Sequence, residues 1–314
     1  MTGLTIAFAV THDMTGLLRS GLLVRLRPCY RRANPAPRRN SMIPSTGRPL
    51  IRFSVKWDMV EEPLSILEKF RLLKDLGFDG VELDAPNELP LAELLDARDR
   101  TGLAIPGVVN SRHWTLPLTD PDPAIRAAGI EAAITALDDA RRYGADTLLL
   151  VPGRVNAQTS YAQAYERAVT EIRKLIPHME QTGIRIAFEN VWNDFLLSPL
   201  EAARFVDEFA HPMFGWYFDT GNVLRYGRPT HWIEALGHRI FRIDAKEYSL
   251  ERMNAEGLWK GFEVELGEGD CDWPALNKAL AAVGYSGWAS GEVKGGDRHR
   301  LATIRSQLER IASA

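Results

Sequence analysis

From residue 51 onward, short apolar runs alternate with longer segments in which apolar positions recur every three or four residues. The short runs are rich in β-branched and aromatic residues and predict strands at 51–55, 80–83, 104–110, 146–152, 185–190, 214–220, 240–246 and 288–293. The longer segments predict helices near 63–76, 88–101, 121–143, 160–182, 199–210, 230–237, 273–283 and 297–312. Glycine follows several of these helices, as in QTGIRI and DLGFDG, where it commonly ends a helix.

This alternation predicts an α/β fold with parallel strands joined by crossover helices. Eight strand–helix units within about 260 residues suit a (β/α)8 TIM barrel better than an open, doubly wound sheet. The open sheet also lacks its usual motif, because no G-x-G-x-x-G follows an early strand and no G-x-x-x-x-G-K-[ST] occurs. We therefore predict a barrel.

The first 49 residues differ in composition from the remainder. They contain eight arginines and one acid, Asp13, and so carry +7, which leaves −10 for the remainder of a chain whose net charge is −3. Their arginine, proline and serine content and weak periodicity predict a disordered extension over 1–49, followed by a catalytic barrel domain over 50–314. A transit peptide would share this bias, and a mis-called start, with Met42 as the true first residue, fits at least as well.

Composition also limits the partners. No segment approaches the roughly 18 apolar residues of a membrane span, and two cysteines, Cys29 and Cys271, cannot build a disulfide framework. An acidic barrel with few histidines at its strand ends argues against nucleic acid. We expect a cytoplasmic enzyme with a small-molecule partner, no membrane and no nucleic acid, and the sequence leaves open whether it forms a homo-oligomer.

Carboxylates end four consecutive predicted strands: Glu189, Asp219, Asp244 and Glu292. In a TIM barrel the carboxyl ends of all the strands surround one opening, where the active site lies. Four carboxylates that close together repel and raise one another's pKa, so we predict a divalent metal ion among them. Oxygen ligands favour Mg²⁺ or Mn²⁺, with Co²⁺ or Zn²⁺ as alternatives. For each single acid, a helix cap or a rim ion pair is the alternative interpretation.

Several segments in their relative order resemble the sugar-phosphate isomerase/epimerase family of xylose isomerase-like TIM barrels. They are GFDGVEL, SRHWTLPLTDPDPAIRAAGIEAA, AFEN, YFDTGN, RIDAKEY and LGEGDCDWPALNKALAAVGYSGWASGEV, and the resemblance covers 51–312. It is strongest to the group of hexulose-6-phosphate isomerase and L-ribulose/L-xylulose-5-phosphate 3-epimerase. That group has a similar S-x-H after strand 3, D-x-G-N after strand 6 and G-E-G-x-x-D before the seventh helix.

The resemblance implies a metal site with one departure from the family pattern. The family holds its metal with a Glu, an Asp, a His and a Glu, which correspond here to Glu189, Asp219, Asp244 and Glu292. Where relatives read approximately H-x-K-D, this chain reads DAKE, so Asp244 stands in place of the histidine. A fourth anion lowers the preference for softer ions and weakens the metal as a Lewis acid, which puts activity in question more than fold.

The chemistry of a ketose epimerase fits these residues. Inverting the carbon beside the carbonyl requires removal of a proton on one face and its return on the other, and Glu189 and Glu292 are predicted to exchange the base and acid roles. We predict a divalent-metal-dependent epimerase or isomerase of a ketose or ketose phosphate, acting by 3-epimerisation through an enediolate. The alternatives are an aldose–ketose 1,2-isomerase, a non-catalytic sugar-binding relative and a nuclease relative.

Five further residues are predicted to contact the sugar: His113, Asn193, Asn222, Lys246 and Lys294. The resemblance places His113 near the substrate, although a lone histidine is more often structural. Lys294 precedes two glycines and the last helix, whose free N–H groups attract phosphate. The alternative is that Asp297 caps this helix and repels a phosphate.

Overall fold

A computed structural model describes residues 50–314, so the predicted extension 1–49, with Met42, lies outside the described residues. Within the described chain, parallel strands β1 to β8 close into a barrel in sequence order, and β1 pairs with β8. Their bounds are β1 (Ile51–Lys56), β2 (Gly80–Ala85), β3 (Gly107–Asn110), β4 (Thr147–Leu150), β5 (Arg185–Glu189), β6 (Phe214–Asp219), β7 (Ile240–Ala245) and β8 (Gly287–Gly291). The predicted (β/α)8 TIM barrel is confirmed.

The helices follow the strands. They are α1 (Ile66–Asp75), α2 (Leu91–Thr101), α3 (Pro123–Tyr143), α4 (Tyr161–Arg173), α5 (Ile176–Thr182), α6 (Pro199–Glu208), α7 (Pro229–Leu236), α8 (Leu250–Glu256), α9 (Trp273–Ala282) and α10 (Arg298–Ala312). Within residues 50–314, none has the length and apolar character needed to cross a bilayer. Capping residues set several starts: Ser65 and Glu68, for example, form a reciprocal capping box at α1.

Two helical features differ from the sequence-based prediction. The helix expected over 160–182 is divided into α4 and α5, because Pro177 lies in the first turn of α5 and has no N–H to donate to a preceding turn. Between β7 and α9 the chain forms the short helix α8 and a 3₁₀ turn, Leu258–Phe262, that the sequence did not predict. Helix α8 has no buried residue, so its apolar signal is weak.

Alternation along the strands decides which side chains face the barrel axis. Leu149, Ala187 and Tyr217 form a small buried cluster apart from the main core. Their neighbour Phe188 packs outward on Phe205 of α6, with ring centroids 5.1 Å apart. Glu189 follows Ala187 by two positions, and the same period of two aims it into the barrel mouth.

Candidate active site

A cavity of about 690 Å³ opens at the carboxyl ends of the strands, within the size range of small-molecule sites. Charged side chains line its floor: Lys56, Glu82, Glu189, Asp244, Lys246 and Glu292. Aromatic side chains form its wall: Trp57, Trp114, Trp192, Trp259 and Phe262. The cavity therefore contains charged side chains that could take part in a reaction and aromatic surfaces that could bind a small molecule.

Three of the four predicted metal ligands come together at the strand ends, and two of them, Glu189 and Glu292, line the cavity. Glu189 ends β5, Asp219 ends β6 and Glu292 follows β8, and one carboxylate oxygen from each lies within 4.8 Å of the others. Glu189 and Asp219 are buried. Glu292 Oε2 is also buried and has no hydrogen-bond partner among the described residues. This group is called the carboxylate triad below.

Asp244, the fourth predicted ligand, lies beside the carboxylate triad and does not belong to it. Its Oδ1 is 2.8 Å from Lys56 Nζ at the end of β1. The same ammonium group lies 2.8 Å from Glu82 Oε2 on β2. The structure therefore pairs Asp244 with a lysine.

The ammonium group of Lys246 forms ion pairs with two members of the carboxylate triad. Its Nζ is 2.9 Å from Asp219 Oδ2 and 3.1 Å from Glu292 Oε1. The two carboxylates raise the pKa of Lys246 and outweigh burial, which would lower it. Lys246, expected from the sequence as a sugar contact, is thus a protonated counter-ion of two of the three acids.

The pKa values of the two glutamates of the carboxylate triad are shifted in opposite directions. Burial, followed by the charges of Glu292 and Asp219, raises the pKa of Glu189 well above its ordinary value. Burial would also raise the pKa of Glu292, but the Lys246 and Lys56 ammonium groups outweigh it and lower that pKa to about 2. The pKa of Glu189 therefore lies above that of Glu292, so the two carboxyl groups differ in their readiness to hold a proton.

The pKa values of the two aspartates are also raised by burial. The Lys246 ammonium opposes this effect at Asp219, and the Lys56 ammonium opposes it at Asp244. Desolvation thus disfavours the charged form of both side chains, while the neighbouring lysines favour it, as does the Asn222 N–H that donates to Asp219 Oδ1 at 2.8 Å.

The charges and oxygens of the floor fit a divalent cation. Five carboxylates (Glu82, Glu189, Asp219, Asp244, Glu292) face three cations (Lys56, Arg242, Lys246), which leaves two negative charges when all are ionised. Asp146 and Arg185, which adjoin Arg242, balance each other. The carboxylate triad has oxygen donors close enough to share one hard ion.

A polar network under the floor holds Glu82. The Tyr217 hydroxyl donates to Glu82 Oε1 at 2.5 Å, Lys56 Nζ binds Oε2, and Arg242 Nη1 lies 3.8 Å from Oε1. Lys56 and Arg242 together overcome burial and lower the pKa of Glu82. Sequence reasoning missed Lys56, Tyr217 and Arg242, and the one available signal was the polar residue that ends the apolar run of β1.

The predicted sugar contacts divide into two groups. His113, Asn222, Lys246 and Lys294 line the cavity. Asn193 does not, because its Nδ2 donates to the Gly153 carbonyl at 2.7 Å and its Oδ1 accepts from the Phe195 N–H at 3.2 Å. Asn193 thus fixes the loop after β5.

His113 is a neutral donor to the cavity. Burial lowers its pKa to about 4, so the imidazole is uncharged at neutral pH. Its Nδ1 accepts from the Val151 N–H at 3.4 Å. That acceptor role leaves the proton on Nε2, which can donate to a ligand.

The aromatic wall is built by the loop after β5 and the 3₁₀ turn after α8. Trp192 Nε1 donates to the Asn222 carbonyl at 2.9 Å, which fixes the indole. Its ring centroid lies 4.8 Å from that of Phe262 and 4.9 Å from that of Trp259. Trp259 remains 68% exposed and therefore presents apolar surface to a ligand.

The start of α10 is closed to an anion. Asp297 Oδ1 accepts from the Arg300 N–H at 3.0 Å, and Glu62 Oε1 accepts from the Arg298 N–H at 2.5 Å. The Gly296 N–H donates to the Met59 carbonyl at 3.0 Å. Two carboxylates thus occupy the helix end at which a phosphate was considered, and Asp297 is the cap.

Comparison with protein families gives one extended match. The sequence profile described as the xylose isomerase-like TIM barrel matches residues 70–314. Among curated proteins, the chain is similar to the L-ribulose-5-phosphate 3-epimerase of Escherichia coli O1:K1. The two are 27% identical over 235 residues, which cover 70% of this chain and 79% of the relative.

Solved structures share the fold at lower identity. An L-ribulose 3-epimerase superposes with a TM-score of 0.70 and 17% identity, covering 84% of this chain and 95% of the other. The 3-keto-D-glucoside 4-epimerase of Escherichia coli superposes with a TM-score of 0.69 and 16% identity, covering 84% of this chain and all (100%) of the other. At these identities the superpositions support the barrel architecture alone.

Proposed function

Because the chain belongs to the xylose isomerase-like TIM barrel family, we propose that it is a divalent-metal-dependent ketose epimerase that inverts C3. The observation that carries this proposal is the convergence of Glu189 and Glu292, which line the cavity, with the fully buried Asp219. The name of the similar L-ribulose-5-phosphate 3-epimerase supports the reaction type.

The carboxylate triad would hold the metal, and its all-oxygen donor set favours Mn²⁺ or Mg²⁺. When bound, such an ion polarises the ketose carbonyl and balances the negative charge of the enediolate.

Glu189 and Glu292 move the protons. We assign Glu292 as the base that accepts the C3 proton and Glu189 as the acid that donates a proton to the opposite face, because Glu292 has the lower pKa of the two. The two side chains come from β5 and β8, three strands apart around the barrel, which suits attack from two sides. In the reverse direction the roles exchange.

The substrate we propose is an unphosphorylated ketose. His113 Nε2 would donate to a sugar hydroxyl, and the aromatic wall would cover a C–H face of the sugar. Lys56 and Lys246 are already paired with carboxylates, and the start of α10 carries Asp297 and Glu62. A ketose phosphate is the second candidate, because the curated relative is named for one.

The test follows hydrogen exchange at each carbon. Protein loaded with Mn²⁺ is incubated in D₂O with D-fructose, D-tagatose, L-ribulose and L-ribulose 5-phosphate, and deuterium at C3 and C1 is measured by NMR beside chromatography of the epimers. We expect C3 exchange with an unphosphorylated ketose, reduced by about 10²–10⁴ in Glu189→Gln and Glu292→Gln. The exposed Glu268→Gln is the control and should match wild type.

Two other results would each support a different function. Exchange at C1 without C3 would identify an aldose–ketose 1,2-isomerase. Binding of these sugars without any exchange, in protein that holds Mn²⁺, would identify a sugar-binding relative and overturn the proposal.

A further inference from the structure

The position at which the family has a metal-ligating histidine has a different environment in this chain. Asp244 is fully buried there, and its Oδ1 lies 2.8 Å from the ammonium of Lys56, whose side chain is 11% exposed. At this distance the positive charge of the ammonium group largely offsets the negative charge of the carboxylate. The pair, rather than Asp244 alone, occupies the position.

Lys56 is held in this place from a second side. Its Nζ lies 2.8 Å from Glu82 Oε2, and Glu82 in turn accepts from the Tyr217 hydroxyl. The ammonium also lies 4.8 Å from the centroid of the Tyr217 ring. These contacts join β1, β2, β6 and β7, so Lys56 cannot leave Asp244 without breaking the network.

The pair matches a histidine in net charge. A neutral imidazole adds no charge to a metal site, whereas a lone fourth carboxylate adds one negative charge. A lysine–aspartate ion pair again adds none. The metal site would then have the same net charge as a Glu, Asp, His and Glu set whose carboxyl groups are in the same protonation states.

We infer that Lys56 acts as a positioning residue of the metal site: it holds Asp244 in a charge-neutral pair, and the ion is bound by Glu189, Asp219 and Glu292 without Asp244. This inference rests on the proposed metal-dependent function. It leaves one more coordination position to substrate oxygens or water than a four-ligand protein site would, as catalytic metal sites require.

A competing arrangement makes different predictions. Neither oxygen of Asp244 makes a hydrogen bond among the described residues: Oδ1 has its ion pair with Lys56, and the buried Oδ2 has no partner. If this oxygen were a fourth ligand, loss of Asp244 would weaken metal binding as much as loss of Asp219 does. Substitution of the two aspartates by asparagine separates the arrangements, because it removes charge and keeps size.

The experiment is calorimetric titration of Mn²⁺ into the full chain after chelator treatment, with metal content checked by elemental analysis. The variants are Asp244→Asn, Asp219→Asn, Lys56→Met and Lys56→Met/Asp244→Asn. We expect Asp244→Asn to bind one Mn²⁺ within about threefold of wild type, and Asp219→Asn to lose about 100-fold or more. Lys56→Met releases Asp244 toward the ion and should tighten binding about tenfold.

The double variant gives the decisive comparison. If Lys56 acts through Asp244, adding Asp244→Asn to Lys56→Met abolishes the gain, although the same substitution changes little in wild type; this is the non-additivity expected of coupled residues. A loss in Asp244→Asn equal to that in Asp219→Asn overturns the inference. Unchanged affinity in Lys56→Met also overturns it.

Folding and function are separated by two controls. Far-UV circular dichroism and thermal melting identify any variant that fails to fold, and Lys56→Met/Glu82→Gln then replaces Lys56→Met because it removes both partners of a buried ion pair together. Wild-type protein that binds no Mn²⁺ would overturn the proposed function itself. Wild type that binds Mn²⁺ while Asp244→Asn does not would overturn this inference alone.

Discussion

Lys246 Nζ lies 2.9 Å from Oδ2 of Asp219, one of the three residues that would bind a metal ion. An ammonium group and a divalent cation therefore share the same carboxylates. Because two cations that close repel each other, binding of the ion requires Lys246 to withdraw from the carboxylate triad.

Removing Lys246 should strengthen metal binding. We expect Lys246→Met to bind Mn²⁺ about tenfold more tightly than wild type, because the ion no longer displaces an ammonium group. Calorimetric titration at matched ionic strength measures this. Lys294→Met is the control, since Lys294 lines the same cavity without an ion pair among the described residues, and its affinity should be unchanged. Weaker binding in Lys246→Met would contradict the shared-site geometry.

Sequence patterns predicted most of the fold because strand and helix periods are local. The order of eight strands follows from alternation alone, and the ends of β5 and β6 lie within one residue of the prediction. The division of the predicted helix 160–182 depends on one proline, Pro177. The spacing of apolar residues does not include the effect of a proline on helix hydrogen bonds.

The sequence could predict only those site residues whose positions follow from the ends of the strands. Glu189, Asp219 and Glu292 were expected together because the ends of parallel strands share one mouth. The direction of the Asp244 carboxylate depends on Lys56 of β1, two strands away around the barrel, and no local pattern encodes that contact. The position of Asn193 outside the cavity lining has a similar cause, since its amide binds the backbone of another loop.

His113 should act as an uncharged hydrogen-bond donor. With a pKa of about 4, it stays neutral from pH 5 to 8, so kcat/KM should show no inflection near pH 6.5 that depends on it. His113→Leu should raise KM about tenfold, the value of one lost hydrogen bond, while His113→Gln, which keeps a donor, should recover part of the loss. An inflection near pH 6.5 that vanishes in His113→Gln would contradict this assignment.

Two tryptophans of the aromatic wall should respond differently to truncation. Trp259 is 68% exposed, so Trp259→Ala should leave the melting temperature within a degree or so of wild type and raise KM about fivefold through lost ligand contact. Trp192 packs on Phe262 and Tyr248, so Trp192→Ala should also cost about 2 kcal/mol in the free energy of unfolding. Urea titration and steady-state kinetics measure the two effects. Destabilisation by Trp259→Ala would contradict its exposure.

Stability should fall as pH rises when divalent ions are chelated. The folded-state pKa of Glu189 lies above its unfolded value, so the folded chain binds the extra proton, and stability declines from about pH 4.5 toward that raised pKa. Glu292 has a lowered pKa and acts only below about pH 4.5, where its contribution is lost as pH falls. Melting curves from pH 5 to 8 should show the decline. Glu189→Gln should reduce this slope without abolishing it, because the raised pKa values of Asp219 and Asp244 contribute to the same decline. An unchanged slope in that variant would contradict the assignment.

The carboxylates at α10 should select against phosphate. We expect kcat/KM for an unphosphorylated ketose to exceed that for the corresponding ketose 5-phosphate. Asp297→Asn keeps the helix cap and removes the charge, so it should lower KM for the phosphate ester about threefold through weaker repulsion and leave KM for the free ketose unchanged. An equal change for both substrates would show that the helix end does not face the phosphate.

Closure of the barrel through β1 and β8 joins residues that are synthesised far apart in time. Glu292 follows β8, so the carboxylate triad is incomplete in a ribosome-bound chain that has released only β1 to β7. The lysine that pairs with Asp244 lies at the end of β1 and is synthesised before any member of the triad. A metal ion held by the carboxylate triad, as we propose, would therefore be captured only after β8 has joined the barrel.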